Sequence, residues 1–132
     1  MTACRLLKGA SLPDLRVEPI SRKTLALFAG ASGDHQPTHI DIDAARAKGR
    51  PDVIAHGMLV MAHLSRLLLE TVPQAAIRSF NARFVAVTPV HAELVCSGRV
   101  LDVDRGLATL ELTVCLSDGT VVLRGDAVVE AG

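Results

Sequence analysis

Asp34 and His39 are the residues of this chain whose types and spacing best suit acid–base chemistry. They sit within FAGASGDHQPTH, residues 28–39, on either side of Pro37. Pro37 fixes its own φ and restricts Gln36, so it stiffens the span between a carboxylate and an imidazole. An imidazole exchanges protons near neutral pH while a carboxylate holds a water or orients the ring, and the pair suits general acid–base work. The plainer reading is an Asx turn or helix cap at Asp34 and a surface histidine at His39. A second feature is IAHGM, residues 54–58, which opens an apolar helical run. Gly57 has no side chain, so a substrate oxygen could closely approach its N–H at a helix start, where amides lack partners and the dipole is positive. That is how an oxyanion hole is made. The alternatives are close helix–sheet packing at Gly57 and a capping or core role for His56.

Other constellations carry less. His35 and His39 are four apart, but no third ligand stands at suitable spacing and Pro37 keeps them off one regular helix, so no metal is expected. GASGD is glycine-rich yet lacks the Lys-Ser/Thr of a phosphate loop. Arg46, Lys48, Arg50, Arg78, Arg83 and Arg99 are isolated basic residues that read as solvated surface. Cys4, Cys96 and Cys115 are odd in number and form no C-x-x-C pair, which points to free thiols rather than a disulfide framework or a zinc ribbon.

Composition narrows the field. The chain has 132 residues, 49% hydrophobic and 21% charged, with 14 basic side chains balancing 14 acidic ones. Such values fit one compact domain over residues 1–132 and leave no cationic surface for nucleic acid or an anionic membrane. No apolar run approaches the roughly 20 residues of a spanning helix, and the first residues lack the apolar stretch of a secretory signal. A cytoplasmic location is expected. With no Trp or Tyr and three Phe, a ligand has to be held by aliphatic side chains and backbone.

The elements that must position these groups follow from periodicity. A short extended segment is expected near Leu15–Glu18, followed by a helix that Ser21 caps and Gly30 and Gly33 end. Asp43 precedes a helical turn stopped at Gly49. Residues 57–71, GMLVMAHLSRLLLET, are apolar around most of a helix and call for burial. From Ser79 the period becomes two: Phe80, Ala82, Phe84 and Ala86 in a strand that Pro89 ends, then Ala92, Leu94 and Cys96, then Ala108, Leu110, Leu112 and Val114, with turns at Asp104–Gly106 and Ser117–Gly119. A final run, TVVLRGDAVVE, completes an antiparallel meander of about four long strands. One greasy helix laid on one antiparallel sheet is an α+β solution in which each buries what the other exposes.

The pattern F-x-x-x-S-G-D-x-x-P-x-H over residues 28–39, followed by HGM at His56–Met58 and a strand-rich second half, resembles the MaoC-like (R)-specific enoyl-CoA hydratases, also 3-hydroxyacyl thioester dehydratases. The resemblance spans nearly the whole chain and implies a hot-dog fold, a long buried helix wrapped by an antiparallel sheet. It implies hydro-lyase activity in fatty acid metabolism: water adds reversibly across the double bond of a trans-2-enoyl thioester to give an (R)-3-hydroxyacyl thioester. Asp34 and His39 would hold and activate the water and the Gly57 amide would bind the thioester carbonyl, with His56, Met58, Met61 and Ser65 near the substrate. Ser65 lies about 12 Å along the helix from Gly57, behind the reacting atoms. The acyl chain would run along Met61 and Leu64. Gln36 stands where the family more often has Asn, a difference that bears on substrate specificity. The implied partner is an acyl thioester of coenzyme A or an acyl carrier, coenzyme A being part of the substrate and no separate cofactor being needed. The implied assembly is a homodimer or dimer of dimers. A hot-dog acyl-thioester hydrolase and a non-catalytic acyl-CoA-binding subunit share these features, and both remain open at this point.

Overall fold

The computed structural model describes residues 6–132; Cys4 lies outside them. A short strand, β1 (Leu15–Val17), leads to helix α1 (Arg22–Ser32). Ser21 caps α1, its hydroxyl accepting from the Thr24 amide at 3.1 Å, and Gly33 closes it in the left-handed region at φ 77°. Gly30 lies inside α1 instead of ending it. A 3-10 turn at Pro37–His39 precedes helix α2 (Ile42–Ala47). The cap of α2 is Asp41, which accepts from the Asp43 amide at 2.9 Å, so this helix starts earlier than the sequence suggests.

Helix α3 (Gly57–Thr71) has the boundaries its pattern predicts. Leu59, Val60, Leu64, Leu67 and Leu68 form its buried stripe, whereas Met58 and Leu69 face solvent, so burial covers one side and not most of the circumference. Each fully buried leucine contributes about 1.5–3 kcal/mol relative to exposure.

Four long strands follow: β2 (Ile77–Phe84), β3 (Leu94–Asp104), β4 (Leu107–Leu116) and β5 (Val121–Glu130). All pairings are antiparallel and the order across the sheet is β1-β3-β4-β5-β2. The expected meander therefore holds only for β3, β4 and β5. β2 crosses to the far side and pairs with β5, because residues 85–93 are too long for a tight hairpin and carry the chain past the mouth of α3. Alternate residues of β4, namely Ala108, Leu110, Leu112 and Val114, are buried beneath α3 with Leu123 and Ala127 of β5. Gly125 marks a close approach of three elements. A Cβ there would lie 2.8 Å from the Asn81 carbonyl oxygen on β2 and 3.5 Å from Leu64 Cδ2 on α3.

Cys96 is buried, and burial pushes its thiol up to about 11; Cys115 is half-buried and also free. Among the described residues no helix is long and apolar enough to cross a membrane.

Candidate active site

Residues 53–57 bring the two halves of the site together. On one side, the Ile54 amide donates to the Thr38 carbonyl at 3.0 Å. On the other, Ala55 donates to Thr88 at 2.8 Å and Val90 donates back to Val53 at 3.2 Å. The turn carrying His39 and the connection following β2 are thus stitched to the strip that opens α3.

Within this frame Asp34 and His39 face one another. His39 Nε2 lies 3.8 Å from Asp34 Oδ2, with the imidazole largely buried and the carboxylate half exposed. The other carboxylate oxygen, Oδ1, accepts from the Gln36 amide at 3.2 Å. The Asx-turn reading of Asp34 is therefore correct, and it leaves Oδ2 free to face the ring. His39 Nδ1 lies 2.7 Å from the Ile54 carbonyl oxygen. A carbonyl only accepts, so Nδ1 carries the proton, and in the neutral ring Nε2 presents a lone pair toward Asp34. A separation of 3.8 Å is too long for a direct hydrogen bond. It suits one oxygen placed about 2.8 Å from both atoms.

Gly57 is the first residue of α3, and among the described residues no backbone oxygen accepts from its N–H. His39 and Gly57 open onto a cavity of about 280 Å³ whose other walls, Ile54, Val60, Phe84, Val87 and Val122 among them, are apolar except at Thr88. The Phe84 ring occupies the space where a side chain on Gly57 would go, 3.1 Å from the ideal Cβ position. A lone pair and a helix N-terminal amide therefore share one largely apolar cavity, and the Asp34 carboxylate, outside its lining, faces His39.

The remaining expected substrate contacts fall elsewhere. His56 is 1% exposed and lies behind His39. Its ring stacks on His39 with centroids 3.9 Å apart, and Phe28 meets it edge-on at 4.8 Å. It makes no side-chain cap to α3, so the core-histidine reading describes it. Met58 points to solvent, Met61 packs against the core, and Leu64 is fully buried. The Ser65 hydroxyl donates to the Ala62 carbonyl of its own helix. None of these five lines the cavity. Phe84, Val87 and Val122 do, and sequence reasoning missed them. Their only local signal is an apolar run before Pro89 and another opening the last strand, which does not show that the two meet.

Asp34, His39 and His56 place ligand-type atoms within 4.8 Å of one another. The donor set suits a metal poorly. Rings stacked at 3.9 Å and 22° send their in-plane lone pairs side by side, not toward a common point. His56 Nε2 is also committed to the Asp34 carbonyl.

Comparison with known proteins agrees with this architecture. Residues 11–117 match the MaoC like domain. The 3-hydroxyacyl-thioester dehydratase Z of Mycobacterium tuberculosis is 34% identical over 115 residues, covering 82% of this chain and 74% of that protein. The (R)-specific enoyl-CoA hydratase of Rhodospirillum rubrum is 31% identical over 116 residues, covering 83% and 78%. Among solved structures, the (R)-hydratase of A. caviae involved in PHA biosynthesis superposes with a TM-score of 0.86 at 26% identity, covering 97% of this chain and 98% of that one. The shared architecture is the hot-dog fold.

Proposed function

The chain belongs to the MaoC-like dehydratase family, and on that premise we propose that it reversibly hydrates trans-2-enoyl thioesters to (R)-3-hydroxyacyl thioesters. The observation that carries this reading is the 3.8 Å gap between His39 Nε2 and Asp34 Oδ2, with His39 and Gly57 lining one cavity.

Water held between the two atoms gives one proton to His39 Nε2 while Asp34 Oδ2 accepts its other O–H, fixing its direction of attack. The water oxygen bonds to C3, and the π electrons move through C2 onto the thioester oxygen. The N–H of Gly57, with the positive end of the α3 dipole behind it, meets that developing charge. One well-placed donor of this kind is worth about 2.7–4 kcal/mol. Collapse of the enolate takes the proton from His39 to C2, and the ring returns to its starting form. In the neutral ring the base is His39 and not Asp34, because the Ile54 carbonyl occupies Nδ1–H and leaves Nε2 bare. The acyl chain enters the apolar cavity and the carrier, coenzyme A or an acyl carrier, stays outside. No cofactor takes part beyond the carrier itself. The working unit is a homodimer or dimer of dimers, a reading supported by β2, an exposed sheet edge beside the cavity.

Crotonyl-CoA tests the proposal. Its conjugated absorbance should fall on adding the protein, and the product should be the (R) alcohol. Asp34→Asn and His39→Gln should each lower kcat about 10²–10⁴-fold, the usual worth of a positioned acid–base group. Thiol release with the alkene intact would instead identify a thioesterase. Tight binding of the thioester without turnover would identify a non-catalytic subunit.

A further inference from the structure

Behind the proposed pair lies a histidine that the reaction steps do not use. His56 is buried, and its Nδ1 has no hydrogen-bond partner among the described residues. Buried polar atoms are almost always satisfied, so an orphaned ring nitrogen calls for a reason. A phenylalanine would fill the same space without that penalty. What phenylalanine lacks is Nε2–H, which in His56 lies 3.2 Å from the Asp34 carbonyl oxygen and donates to it.

We infer that His56 is a positioning residue, gripping the Asp34 backbone with one edge and backing the His39 ring with its face. The inference rests on the hydratase reading for its consequence but on geometry for its substance. Asp34 follows the left-handed cap of α1, and its other ties are local, its amide donating to Ser32 Oγ at 3.1 Å and its carboxylate accepting from the Gln36 amide, whereas His56 ties it to the strip that opens α3. His39 is held at one edge by the Ile54 carbonyl and on one face by His56. The strip 54–57 thus acts as a jig: Ile54 sets His39, His56 sets Asp34 and supports His39, and Gly57 supplies the amide. Three reacting groups from separate elements are referenced to four consecutive residues.

The groups facing His56 are His39, Asp34 and Phe28. A proton on Nδ1 would be buried against a second imidazole, and burial first, then His39, hold His56 below its ordinary value.

His56→Phe keeps a ring and loses the donor, whereas His56→Gln keeps a donor and loses the ring. Each should lower kcat on crotonyl-CoA by about ten- to a hundredfold, the cost of a misplacement of up to about 1 Å, with KM unchanged. A raised KM at full kcat would make His56 a substrate contact and overturn the inference; both constants unchanged would overturn it as well. Nitrogen-15 spectra decide position independently of activity, and on the wild type they need no variant to fold. Wild-type His56 should show the Nε2–H tautomer, and an Nδ1–H tautomer would overturn the inference. In folded His56→Gln the His39 Nδ1 proton should exchange faster, and unchanged protection would refute the backing role. If the wild-type chain hydrates nothing, the proposed activity fails while these ring signals still report on the jig.

Discussion

Replacing Gly57 by alanine separates the two roles a glycine can have at this position. If Gly57 serves only the helix, alanine should do no harm, since alanine outranks glycine by roughly 1 kcal/mol in helix interiors. The cavity predicts otherwise. The new methyl would stand 3.1, 3.2 and 3.3 Å from Phe84 Cε1, Cδ1 and Cζ, inside the ordinary contact range that begins at 3.4 Å, so the ring has to give by a few tenths of an ångström. Phe84 ends β2 and is 49% exposed, so it can yield without unfolding the protein. It yields, however, within the wall beside the Gly57 amide. We expect kcat/KM for crotonyl-CoA to fall about tenfold, equivalent to about 1.4 kcal/mol of transition-state stabilisation, with the melting temperature within a few degrees of wild type. Adding Phe84→Leu removes the ring carbons that the methyl strikes and should restore most of the loss, giving a coupling of about 0.5–3 kcal/mol in the double-mutant cycle. Full activity in Gly57→Ala would refute a close approach at this amide. An equal loss in single and double mutants would show that Phe84 does not transmit it.

The bidentate pair of Arg22 with Asp52, at 2.9 and 2.5 Å, pulls the Asp52 carboxyl down to about 2 from 3.8. A carboxyl lowered on folding stabilises above its unfolded value, so Arg22→Met should lower the melting temperature at pH 7, with the difference fading between pH 3.8 and about 2; a difference that persists at pH 2 would contradict this. Cys96, buried and raised to about 11, should resist thiol reagents at pH 8 until the protein unfolds, which mass spectrometry of Cys4→Ser/Cys115→Ser protein checks. Prompt labelling of the native protein would show that strand β3 opens far more readily than its burial implies.

How much was legible depended on how local the cause was. The bounds of α3 could be read because Gly57 and the leucine spacing act within one element, and β3 to β5 could be read because period-two runs meet at turns with Gly106 and Gly119. The Asp34–His39 approach was legible for the same reason, Pro37 making it a property of six residues. The pairing of β2 with β5 was not, since nothing in Ile77–Phe84 names a partner some forty residues away. The cavity walls share that difficulty, as Phe84, Val87 and Val122 converge only once the sheet has closed around α3. His56 was visible as a histidine, but its place behind His39 depends on the strip 53–57 being tied on both sides.

Gly125 extends the reach of the fold into the chemistry. Among the described residues β2 pairs in the sheet with β5 alone, and at Gly125 the missing side chain leaves room for the Asn81 carbonyl. Three residues further along β2 hangs Phe84, the lid over Gly57. A methyl group added at Gly125 would press on the Asn81 carbonyl within the pairing that also carries Phe84. A bare α-carbon on the opposite strand thus lies a short stretch of β2 away from the wall of the cavity.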